Sequence, residues 1–167
     1  MCKSPICGVI SGIVLFNAVQ LSCAQEHDIA WAIDEFLQDE FVIYTTVDSI
    51  PEPIINAIPK TSDRAITVMV DPGEDYNVTD IIDYPDLPFS RLIFAGQSDK
   101  IWFVYSEEGG IGFHIRLLLY EYSNGQVVLR NELVFFQKAP DLDGLRQLIV
   151  SAKEISITGF TLKVLMD

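Results

Sequence analysis

Residues 112–136 read GFHIRLLLYEYSNGQVVLRNELVFF, and the way this stretch folds back on itself decides the architecture. Two runs rich in leucine, β-branched and aromatic residues flank Asn124-Gly125, a strong hairpin signal. Two registers compete. A two-residue Asn-Gly turn pairs Ser123 with Gln126 and sets Glu132 opposite Leu117, on the face of Phe113 and Ile115. A three-residue loop, Ser123-Asn124-Gly125, pairs Tyr122 with Gln126 instead. It gathers Phe113, Ile115, Leu117 and Leu119 with Val127, Leu129, Leu133 and Phe135, and sets Arg116 opposite Glu132. Because a one-residue slip exchanges the two faces, the sequence predicts the three-residue loop, a type I turn with Gly125 left-handed in a bulge. Asn131 is the exception on the apolar face and needs a hydrogen-bonding partner or an edge position.

Outward from the hairpin, residues 100–105 read as the preceding strand, returning through Ser106-Glu107-Glu108-Gly109-Gly110. Residues 41–47 and 65–70 read as further strands. Ile29, Ala32, Ile33, Phe36 and Leu37 form one stripe of an amphipathic helix over 28–37. A short helix follows Ser49, which is placed to cap it, with Pro51 in its first turn and Glu52 completing a capping box. Another begins at Pro140 with Leu142, Leu145, Leu148 and Ile149 as its stripe. The last strand, 155–166, changes phase at Gly159, where a bulge would absorb one residue. The expected fold is α+β: an antiparallel meander sheet of about five to six strands, packed against two main helices in two layers.

The N-terminal segment carries a different signal. Lys3 precedes an apolar run over 8–19, and Ser22-Cys23-Ala24 sets small residues just before Gln25-Glu26-His27-Asp28. That order is expected of a secretory signal peptide over 1–24. The run is shorter than the roughly 20 residues a spanning helix needs. Residues 25–167 then form a single globular domain. All cysteines (Cys2, Cys7, Cys23) fall in the leader, so the exported domain has neither disulfide nor thiolate chemistry. Cys23 is also a candidate for lipidation, which would tie the domain to the cell envelope. The expected location is therefore secreted or periplasmic, or lipid-anchored at the envelope.

With 24 acidic against 11 basic residues, the net charge of −13 opposes binding to nucleic acid phosphates and unaided adsorption to an anionic bilayer. A membrane would be reached only through a lipidated Cys23 or an uncleaved N-terminal segment. On the first strand of the hairpin, His114, Arg116, Tyr120 and Tyr122 share the less apolar face, extended by Tyr105 from the neighbouring strand. Such a face suits a protein, peptide or saccharide partner. Asp75, Asn77, Thr79 and Asp86 fall at positions 1, 3, 5 and 12 of a calcium loop, although Asp80 stands where position 6 needs glycine. No other cofactor is indicated: Gly109-Gly110 lacks the lysine and helix of a phosphate loop. Asn77-Val78-Thr79 is an acceptor sequence for glycosylation at Asn77. The sequence thus points to an exported, noncatalytic binding or envelope-associated structural domain. Its alternative is a small secreted hydrolase with His114 as general acid or base beside a carboxylate.

Overall fold

The computed structural model describes residues 31–59, 68–79, 86–110, 112–155 and 164–165. At its centre the hairpin forms with a two-residue turn, not the three-residue loop its pattern predicts. Asn124 and Gly125 both have positive φ, +53° and +77°, and Ser123 pairs with Gln126. This is the primed geometry that matches strand twist. Continued unchanged, that register would carry charged residues onto the core face. The chain corrects it inside the strand: the pairing steps from Tyr120↔Leu129 to Leu119↔Asn131, leaving Arg130 as an extra residue. Beyond this bulge Leu117 meets Leu133 and Ile115 meets Phe135, so that part of the expected apolar face forms with its register displaced. Val127 and Leu129, before the bulge, instead pair with Tyr122 and Tyr120 on the opposite face, and Phe113 is exposed. Arg116 lies opposite Val134 rather than Glu132. Arg130 itself turns to Glu121, with Nε 2.9 Å from the carboxylate.

The hairpin strands are β4 (His114–Ser123) and β5 (Gln126–Phe135). They continue a sheet whose spatial order is the chain order: β1 (Val42–Tyr44), β2 (Ser90–Gln97), β3 (Ile101–Glu108), β4, β5 and β6 (Val164–Leu165). β1 to β5 are antiparallel neighbours, as the meander reading expects. β6 instead runs parallel to β5. The intervening helix α3 (Leu142–Ile155) explains this, because a helical crossover returns the chain in the same direction. Ile155 therefore belongs to α3 and not to the last strand, and Gly159 lies outside the described residues. Of the strand expected over 65–70, Val70 makes a single parallel bridge to Arg91; residues 65–67 lie outside the described part.

Helix α1, described over residues 31–38, and α3 cover one face of the sheet. Ala32, Ile33 and Phe36 meet Phe94, Phe103, Ile115, Leu117, Leu119, Leu145 and Ile149 there. Phe103 is the hub, edge-on to Phe36, Phe41 and Phe94 at centroid distances of 5.1, 5.0 and 5.8 Å. Asp141 caps α3: its Oδ1 accepts from Gly144 N–H at 2.8 Å.

To this two-layer core the structure adds a thinner third layer. Ile50, Ile54 and Ile58, on and around α2 (Glu52–Ala57), pack with Met69 over Leu92, Trp102, Val104, Leu118 and Tyr120. Pro51 is the N-cap residue of α2, with no side-chain cap. Ser49, expected to cap, sits in a 3-10 turn (Val47–Ser49) and bonds the Thr46 hydroxyl at 2.7 Å. With cover on both faces, all eight residues of β3 are buried.

Candidate functional site

The five residues expected to share a binding face are not one surface. Tyr105 pairs with Leu117 and faces α1 and α3, away from the even-numbered residues of β4. It is fully buried, and its hydroxyl accepts from Ala139 N–H at 2.8 Å. Burial raises its pKa. Tyr120 is fully buried on the opposite face beneath the α2 layer, where burial again raises its pKa. Tyr122 is half-buried against the same cluster, and Arg116 is buried. The α2 layer covers this face, packing over Leu118 and Tyr120 with Tyr122 at its margin.

His114 remains half-buried at the sheet end, with Nδ1 2.9 Å from Gly112 O. Its ring is engaged with the preceding turn, not with a carboxylate, among the described residues.

Where a solvated turn was expected at 106–110, β3 continues through Glu107 and Glu108, and both are buried. Successive strand residues point to opposite faces, so each glutamate has its own cations. Glu108 takes Arg116 Nη2 at 3.0 Å, Ser90 Oγ at 2.6 Å and Ser106 Oγ at 2.7 Å. Glu132, 43 % exposed, stands 3.8 Å from the same guanidinium. Glu107 binds Arg91 Nε at 2.7 Å and Lys138 Nζ at 3.0 Å. Burial alone would raise the Glu107 carboxyl, but hydrogen bonds from Lys138 and Arg91, with their charges, hold it below its ordinary value. Arg91 also lies 4.5 Å over the Tyr76 ring. Burial first, then the Glu107 charge, pushes the Tyr76 hydroxyl up to about 12. Apart from Arg116 Nε, which has no hydrogen-bond partner among the described residues, these networks are closed by the protein's own groups, so they read as the means of holding a charged strand inside the core.

The acidic loop docks on this region. Asn77 is buried, with N–H donating to Pro88 O at 2.9 Å and Nδ2 donating to Leu87 O at 2.7 Å. A glycan on that nitrogen would need space the fold fills. Asp75, Thr79 and Asp86 are exposed while Asn77 turns inward, so the structure does not converge the four on one point. No group of three His, Cys, Asp or Glu side chains able to hold a metal occurs among the described residues. Cys23 lies outside them.

A concave surface that the sequence did not indicate lies at the β1 end of the sheet. The α1–β1 junction (Asp39, Glu40, Phe41, Val42) and the β2–β3 turn (Gln97, Ser98, Asp99, Lys100) line an open groove of about 580 Å³. Val42 pairs with Gln97, which brings the two segments together. Beside the groove, β1 exposes Val42 and Ile43, 62 % and 42 % accessible. Lys100 is bonded to Glu35; that bond, with the charges of Glu35, Asp39 and Asp99, raises its pKa. Asp39 Oδ2 is shielded from solvent and accepts no hydrogen bond among the described residues. The chain matches no family model, no curated protein and no solved structure. What this surface does must therefore come from its own chemistry. No helix among the described residues is long and apolar enough to cross a membrane.

Proposed function

We propose that this chain is an exported, noncatalytic binding domain that presents the β1 end of its sheet to a partner. The observation that carries the binding half is the open groove beside exposed Val42 and Ile43. Apolar side chains on a sheet edge next to a polar concavity supply burial and direction together. The export half rests on the apolar run over 8–19 and on Ser22-Cys23-Ala24. The domain then works secreted or in the periplasm, or held at the envelope by an acylated Cys23, where the same surface serves a structural attachment.

Two measurements test the two halves. Intact-mass and N-terminal analysis of the natively expressed protein should find Gln25 first, or an acylated Cys23; intact Met1 on a soluble folded product overturns export. For binding, a photo-crosslinking residue is placed at Val42 and, as control, at Val150 on α3, which is 47 % exposed. Partner adducts are expected at 42 and not at 150. Equal yields at both positions, or none at 42, would refute the assignment of this surface.

A further inference from the structure

The chemistry of the groove narrows the partner. The inference rests on the binding role proposed above and deepens it. β1 is the last strand on its side of the sheet, and among the described residues no strand pairs with its outer edge. An outer edge offers main-chain donors and acceptors to an added strand. β1 is only three residues long, so those hydrogen bonds are few and side chains must supply much of the affinity. The adjoining groove fixes which side chains suit. Asp39, Glu40 and Asp99 line it, and its one lysine, Lys100, is held by Glu35. Asp39 also has a carboxylate oxygen without a hydrogen bond from the described residues. Asp39 O is already bonded to Arg146, so that arginine serves the backbone rather than this oxygen.

We infer that β1 accepts an added strand from an extended peptide segment in which apolar and basic residues alternate. In such a segment the apolar set of side chains covers Ile43, while the alternate, basic set lies on the opposite face with Val42, where a lysine or arginine enters the groove between Asp39, Glu40 and Asp99. A second copy of this chain fits less well, because each copy carries a net charge of −13 and the two repel.

The test uses the purified full chain and fluorescent peptides with blocked termini, alternating valine with lysine, with glutamate or with threonine. Saturable binding is expected for the lysine peptide, weaker by at least about tenfold for the glutamate peptide and weakened by added salt. Asp39→Asn, Glu40→Gln and Asp99→Asn together should cost about fivefold or more without changing the circular dichroism spectrum. Strand addition is read separately, by N-methylating alternate peptide amides. Methylation in the phase that faces β1 should abolish binding, and this needs no variant of the protein to fold. If all three peptides bind alike, or methylation has no effect, this inference fails while a binding role survives. If none binds, the peptide partner is refuted although crosslinking at Val42 can still stand. A concentration-dependent dimer that buries β1 would replace the peptide with a second copy and overturn the inference.

Discussion

Replacing Glu108 by glutamine should expose what the buried charge pair contributes. Glu108 is fully buried, and the Arg116 side chain is 5 % exposed. Glutamine keeps the size of the side chain. Its carbonyl oxygen can take the place of Oε1, accepting from Ser106 and Arg116, while its NH2 donates to Ser90 Oγ. The hydrogen-bond pattern is thus recoverable and the change isolates the charge. What remains for the guanidinium is Glu132 at 3.8 Å, half in solvent. Removing one partner of a buried pair costs about 3–5 kcal/mol. Partial compensation by Glu132 sets the expectation at the low end, about 3 kcal/mol. In urea, with a slope of about 1.5 kcal/mol per molar, the midpoint should fall by roughly 2 M. Glu108→Gln combined with Arg116→Met removes both charges of this pair and should recover about 1–2 kcal/mol of the loss. A midpoint change below about 0.5 M, or a double variant no more stable than the single, would refute this reasoning.

Gly109→Ala should be severe: a Cβ there would lie 2.0 Å from Asn77 O and 2.8 Å from Val78 Cα, both backbone. Chemical denaturation should show a loss beyond the about 1–3 kcal/mol of ordinary overpacking, with the Gly110 N–H to Val78 O bond lost from exchange protection. Asp141→Ala removes the α3 cap and should cost about 1 kcal/mol, with a fall in helical signal that Asp141→Ser largely restores. The Glu107 carboxyl is held below its ordinary 4.5 in the fold, so its contribution is present above that value and is lost as pH falls through the folded value. Glu107→Gln should therefore flatten the acid limb of the stability–pH curve below about pH 5, and an unchanged limb would contradict the assignment.

Much of the fold was legible in residue pattern. The helices over 31–38 and 142–155 and the order of the central strands follow from periodicity and turn residues. The hairpin shows how pattern and mechanism separate: that Leu117 and Leu133 share a face was readable, but not that they pair, because a turn and a strand bulge can deliver the same parity. Asn124 at positive φ favours the second route. The closed second face also left a trace. Ile101 to Tyr105 and Leu117 to Tyr120 are continuous apolar runs, and a sheet with one wet face would alternate. Tyr105 takes the other face because it pairs with Leu117, a register that the turn residues do not reveal, and β3 runs on through Glu107 and Glu108, which by residue type suit a solvated turn. Their burial depends on Arg91, Arg116 and Lys138, which lie elsewhere in the chain. The groove was unreadable for a related reason: residues 39–42 and 97–100 become neighbours only when β1 pairs with β2.

The order of the sheet has a consequence for how it opens. β2 to β5 succeed one another through short turns, whereas residues 45–89 separate β1 from the strand it joins. Closing that long loop carries an entropic cost that the local hairpins escape. A strand of three residues then holds on with few hydrogen bonds, while the strands beyond it have eight to ten residues. β1 should dock after β2 to β5 during folding and detach from the native state before them. Native-state hydrogen exchange should find the amides of 42–44 opening well below the global unfolding energy, and those of 102–105 only with it. The sheet can thus shed its outer strand while its centre stays folded, which makes the edge a breathing margin rather than a fixed wall.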